Sequence, residues 1–183
     1  LVGSEMCIRD SWKLSQELGM EQVDAKPIFE QYHDRVPFVR KLSYECTQSA
    51  NNKGYIRTLL GRHRHFNLFE PADSRNTWPN RETPLNREAA MEVWKDRPLR
   101  RSFTHKALNA LIQGSSADMT KKAMLDLYEE GIIPHITVHD ELDFSVENSV
   151  QANKYRDIME HCVDLTVPLK VDVELGSNWG DIK

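Results

Sequence analysis

Residues 136–146 read Ile-Thr-Val-His-Asp-Glu-Leu-Asp-Phe-Ser-Val. Ile136 and Val138 alternate with Thr137, and Leu142, Phe144 and Val146 alternate with Asp143 and Ser145. Successive strand side chains point to opposite faces, so each run has one apolar and one polar face. Two such runs around His139-Asp140-Glu141 predict an antiparallel hairpin with a tight turn. Before it, residues 103–130 carry an apolar stripe at helical spacing: Leu108, Leu111, Ile112, Met119, Ala123, Met124 and Leu127, with Gly131 as the stop. After it, a helix is expected over about 150–165, burying Tyr155, Ile158, Met159 and Cys162. Leu169, Val171, Val173 and Leu175 then alternate with Lys170, Asp172 and Glu174 as a one-sided strand. Helix, hairpin, helix and strand define an α+β class with an antiparallel sheet.

The first half reads as mainly helical. A short helix at 15–18 ends at Gly19, and a second has Asp24 as its candidate N-cap, with Pro27 in the first turn and Ile28, Phe29 and Tyr32 as apolar positions. Pro37 marks a break, after which Phe38, Leu42 and Cys46 continue at helical spacing to about Ser49. Asn51-Asn52-Lys53-Gly54 is a stop, residues 55–60 look like a strand, and Gly61 turns the chain. Residues 67–102, punctuated by Pro71, Pro79, Pro84 and Pro98, read as an irregular insertion with one short helix at 87–95.

Composition excludes some classes and leaves others open. With 39% hydrophobic and 28% charged residues among 183, the chain has the make-up of a globular domain. No stretch approaches the roughly 18–20 apolar residues of a membrane span, so no membrane partner is expected. Cys7, Cys46 and Cys162 are odd in number and outside any CxxC pattern, which argues for a reducing interior. The net charge is −4, but residues 35–66 and 95–122 each hold seven Lys or Arg. Two basic stretches followed by an acidic end can present a positive face, although solvated helix faces would look the same.

Three groups of residues could carry chemistry. A metal-assisted phosphoryl-transfer enzyme must hold carboxylates rigidly, and a hairpin tip bearing His139, Asp140 and Glu141 would do so. Asp and His are also ordinary turn residues. His105, Asn109 and Gln113 fall four residues apart, which on a helix stacks three hydrogen-bonding side chains in a line. Such donors can feel the minor-groove acceptors present at every base pair, with Lys106, Arg100 and Arg101 beside them for phosphates. An exposed polar stripe is the plainer reading. Gly54–Arg62 (GYIRTLLGR) is a strand and turn in which Arg62 and Arg64 could grip a phosphate backbone or merely flank the turn.

Taken in order, GYIRTLLGR at 54–62, THKALNALIQGSSADMTKKAM at 104–124, ITVHDELDFSV at 136–146 and VPLKVDVELGSNW at 167–179 resemble family A DNA polymerases. QYHDRVPFVRKL at 31–42 resembles the fingers segment before the first of these, and the likeness covers essentially all of 12–183. The long insertion and the wording LRRSFTHKALNALIQG look more like phage-type members.

The resemblance implies a right-hand architecture, with partial fingers over 12–102 and the C-terminal part of the palm over 103–183. It implies that Asp140 is one of two aspartates holding two Mg²⁺ ions, with Glu141 as an acidic neighbour and His139 beside the primer terminus. Gln113, Asn109 and His105 would contact template and primer, though some members carry Arg at the place of His105. Lys106, Arg62 and Arg101 are the further candidates for nucleic-acid binding, Arg62 being structural or backbone-contacting. The implied activity is addition of deoxynucleotides to a primer 3′ end by two-metal-ion phosphoryl transfer. Primer-template DNA and deoxynucleoside triphosphates are the partners, in the cytoplasm of a bacterium or phage-infected host; any processivity partner is unreadable.

The chain starts at Leu1, and LVGSEMCIRD resembles translated sequencing-adapter read-through, so residues 1–11 are expected to be non-native. The family's first aspartate motif and its nucleotide-binding fingers helix are expected upstream. On that expectation the chain alone does not extend a primer, and its sheet has an open edge. Two rivals stand beside this reading: a non-catalytic nucleic-acid-binding module, and a metal hydrolase using His63, His65, His135 and His139. The second lacks recognisable ligand spacing.

Overall fold

The computed structural model describes residues 14–73 and 82–181; the expectation for residues 1–11 lies outside them. The chain is α+β, with helices and small antiparallel sheets. Contacts group it into two compact units: Leu1–Gly54 with Phe66–Leu108, and Tyr55–His65 with Asn109–Lys183. This differs from the linear division at 102/103, because the segment at 55–65 is hydrogen-bonded to residues 114, 115 and 118.

In the first unit, a helical turn over 14–18 ends at Gly19, which has φ +63°. Helix α1 (Gln22–Arg35) follows with Glu21 at its N-cap, so Asp24 lies in the first turn instead and complements the helix dipole there. Pro27 sits inside α1, and Ala25 is its buried residue while Ile28 and Tyr32 remain exposed. Pro37 is the first residue of α2 (Pro37–Asn52), where its missing N–H costs no hydrogen bond. Cys46 and Ala50 bury the inner face of α2, whereas Phe38 stays exposed.

The stretch expected to be irregular holds a three-stranded sheet in the order β4-β3-β5, formed by β3 (Leu68–Pro71), β4 (Leu85–Asn86) and β5 (Leu99–Arg101). Its strands are too short to show a period of two in sequence. A buried carboxylate organises it: Glu70 accepts from Arg100 Nε at 3.0 Å and Ser102 Oγ at 3.1 Å. The short helix α3 (Arg87–Val93) is capped by Asn86, whose side chain accepts from the Ala89 N–H.

In the second unit, β1 (Tyr55–Arg57) pairs antiparallel with β2 (His63–His65), a strand with no apolar residue to announce it. Helix α4 (Ala107–Glu129), which belongs to this unit from Asn109 on, buries Ala123 and Leu127 as its pattern predicts, but Ile112 is 57% exposed. Strands β6 (Ile136–Val138) and β7 (Glu141–Asp143) form the expected hairpin. Its turn is tighter than read, because Glu141 belongs to β7 and pairs with Val138. Helix α5 (Ser149–Glu160) is capped by Asn148 and ends earlier than expected; Cys162, just beyond it, is buried, with its thiol against the Met119 carbonyl at 3.6 Å.

The strand expected at 169–175 does not form. Among the described residues nothing pairs with that backbone, and the Val171 N–H is bonded instead to Glu160 Oε1 at 3.0 Å. Alternation prepares a segment for a sheet, but a ladder needs a neighbouring strand.

Candidate functional site

The second hairpin puts its acidic residues at the tip. Register pairs Val138 with Glu141, leaving His139 and Asp140 as the two turn residues. His139 has φ 53°, a left-handed conformation that residues with a Cβ rarely adopt. His139, Asp140 and Glu141 are all exposed. The carboxylates therefore stand in solvent on a short, fully paired ladder. Asp143, two residues on, has a buried carboxylate oxygen without a hydrogen-bond partner among the described residues. The alternation of 142–146 puts Asp143 on the polar face of its strand; the burial of this oxygen is visible only in the folded chain.

Hard carboxylate oxygens in solvent suit Mg²⁺, which takes one or two carboxylates and fills its other positions with water and phosphate oxygens. Asp140 and Glu141 fit that need. Among the described residues no cluster of three or more His, Cys, Asp or Glu side chains is placed to hold a metal. His63 and His65 lie instead in an aromatic group with Tyr55, whose ring stacks on His63 at 4.3 Å, so the set of His63, His65, His135 and His139 is not gathered into one centre.

The helical candidates divide. Asn109 and Gln113 lie exposed, one turn apart on α4. His105 and Lys106 are exposed too, but they belong to a 3-10 turn (Thr104–Lys106) that precedes α4. Lys106 lies over the Phe103 ring at 5.2 Å, and Phe103 itself has φ 62°.

The arginine candidates have internal partners. Arg101 donates from Nε to the Asn51 carbonyl at 3.2 Å and from Nη1 to the Phe66 carbonyl at 2.8 Å, and lies over the Phe69 ring. Gly54, at φ +79°, leaves room for that guanidinium; a Cβ there would meet it at 2.7 Å. Arg100 pairs with Glu70. Arg62, about half exposed, pairs through Nε with Asp118 and donates from Nη2 to the Gly114 carbonyl at 3.0 Å.

Asp118, which sequence reading passed over, is almost fully buried on α4. It also accepts the Leu60 N–H at 3.2 Å. Burial opposes its charge, yet hydrogen bonds from Thr58, Arg62 and the Leu60 N–H hold its carboxyl below the usual carboxylate range. A single acid within a polar helical stretch gave no signal of this; the nearby small residues 114–117 were the available hint. Gly114 is where the turn packs closest, since an added Cβ would lie 2.7 Å from Thr58 Cγ2.

Comparison with known proteins identifies the family. The profile of DNA polymerase family A matches residues 9–181. A DNA-directed DNA polymerase of Pseudomonas phage M6 is 37% identical over 86% of this chain, and DNA polymerase I of Bacillus caldotenax is 34% identical over 93%. The chain spans 20% and 18% of those two relatives' lengths. Among solved structures, the POL domain of Pol1 from M. smegmatis, in complex with DNA primer-template and dNTP, superposes with a TM-score of 0.66 at 30% identity, covering 94% of this chain and 28% of that one. No helix among the described residues is long and apolar enough to cross a membrane. The chain belongs to DNA polymerase family A.

Proposed function

We propose that the chain is part of a DNA-directed DNA polymerase that adds deoxynucleotides to a primer 3′ end, with the second hairpin as the palm's acidic tip and α4 as its duplex-facing helix. The observation that carries this is the tip itself. Two exposed carboxylates follow a histidine at the positive φ that a two-residue hairpin turn calls for, on a paired ladder that holds them in place. The structural likeness to a polymerase domain in complex with primer-template and dNTP supports the same reading.

In this reading Asp140 holds Mg²⁺, and Glu141 adds negative charge that helps to retain it. When bound, the metal supplies Lewis-acid stabilisation of charge on the phosphoryl group, two such ions serving the whole enzyme. His139, projecting beside Asp140, lies against the primer end. Asn109 and Gln113 present donors to minor-groove acceptors, which sit alike at every correct base pair. They would hold the duplex without reading its sequence. Lys106, one residue before α4, meets the phosphate backbone, and His105 assists it. Primer-template DNA and deoxynucleoside triphosphates are the partners, and the bacterial or phage-infected cytoplasm is the place of action.

The 183 residues alone are expected to bind a duplex but not to extend it. Fluorescence anisotropy with a labelled primer-template checks the first point. Asn109→Ala and Gln113→Ala should each weaken binding several-fold, the scale of about 1 kcal/mol per lost hydrogen bond. Mg²⁺-dependent incorporation by the isolated chain that disappears in Asp140→Ala would contradict the second point. Duplex binding indifferent to both helix substitutions would favour a module that uses another surface.

A further inference from the structure

The turn at 58–62 is bound to α4 through three of its residues. The Leu59 N–H donates to Ser115 Oγ at 3.0 Å, and the Leu60 N–H to Asp118 Oδ2 at 3.2 Å. Arg62 pairs with Asp118 Oδ1 and donates to the Gly114 carbonyl. The turn is closed on itself as well: Thr58 N–H donates to the Arg62 carbonyl at 2.8 Å, and Arg62 N–H to Thr58 Oγ1 at 3.0 Å. All the α4 acceptors lie within one and a half turns that begin directly after Gln113.

We propose that Asp118 is a positioning residue that clamps the 58–62 turn onto α4 and so sets the rotation of the helix face bearing Asn109 and Gln113, with Arg62 acting as a strut and not as a phosphate ligand. The proposal rests on the reading of α4 as a DNA interface. Its physical basis is the use of the guanidinium. Nε and Nη2 are committed within the fold and the positive charge is answered by a buried carboxylate, so the Nε–Nη2 edge is not open to a phosphate. A buried acid with this many donors cannot rotate without leaving several of them unpaired, so it fixes both partners.

The two roles of Arg62 predict different behaviour. If Arg62 is a strut, Arg62→Ala and Asp118→Ala should each weaken duplex binding by roughly tenfold, and the double variant should be no worse than either single. The slope of log K against log[salt] should stay unchanged, and amide exchange at Leu59 and Leu60 should accelerate. If Arg62 instead touches a phosphate, Arg62→Ala alone lowers that slope by about one, and Asp118→Ala frees the arginine and tightens binding. Either of those results would overturn the proposal.

Measurements belong well below each variant's melting temperature, with saturating anisotropy amplitudes compared. Asp118→Asn, which keeps the volume and part of the hydrogen bonding, serves if Asp118→Ala does not fold. It should show an intermediate affinity. Unchanged affinity in every variant, with exchange protection lost, would refute the positioning role while leaving the DNA interface intact. Failure of the unsubstituted chain to bind duplex would instead refute the interface reading, and the proposal with it.

Discussion

Asp118 shows how a residue can be unremarkable in sequence and decisive in the fold. Its carboxyl lies below the usual carboxylate range despite burial, because Thr58, Arg62 and a backbone N–H favour the charged form. The unfolded carboxyl has its ordinary value near 3.9. A depressed folded value means that the stabilisation is complete above that range and is lost as pH falls through the folded value. The difference in melting temperature between the unsubstituted chain and Asp118→Asn should therefore be constant from pH 5 to 8 and shrink below about pH 4. Differential scanning calorimetry across that range checks it; a gap that closes near pH 7 would contradict the assignment. Arg62 and Arg101 carry the complementary lesson. Both were legible as basic residues near candidate motifs, yet each guanidinium is turned toward carbonyls or a carboxylate of its own unit. Charge was visible in the sequence, but its partner across some 35 to 56 positions was not.

At the scale of elements, the strongest periodic signals became structure. Helix α4 and the β6–β7 hairpin lie where their apolar spacing puts them, although only α4 buries a face, through Ala123 and Leu127, while Ile136 of the hairpin stays exposed. Strand β2 and the sheet in the 67–102 stretch were hidden because strands of two to four residues are too short for a period to emerge. The 169–175 segment errs in the other direction, since its alternation is clear but its backbone has no ladder among the described residues. The contact of the 58–62 turn with α4 was half legible, as a small-residue patch inviting close approach. Gly114→Ala tests that contact. Helix propensity alone would favour alanine by about 1 kcal/mol. Against it, the new methyl would sit 2.7 Å from Thr58 Cγ2, on a buried β-branched residue with little room to turn. Overpacking of this kind costs about 1–3 kcal/mol, so the variant should unfold at lower urea concentration. A gain in stability would show that the turn yields freely.

For the whole molecule, four weak motifs became one strong statement through their order along the chain. The match to family A over residues 9–181 agrees with it. Net charge was a poor guide, since a chain of −4 can carry local basic stretches wherever its acids are gathered elsewhere. The central claim is that Asp140 is a catalytic carboxylate of the parent enzyme. The direct measurement joins residues 12–183 to the preceding part of the Bacillus caldotenax relative, in place of that enzyme's own matching segment, and follows primer extension with Mg²⁺. The chimera should extend the primer, and Asp140→Asn should lower the rate by at least about a thousandfold, or 4 kcal/mol, with primer-template affinity nearly unchanged. Undiminished extension by the Asp140→Asn chimera, or a chimera that binds primer-template and does not extend it, would contradict the account.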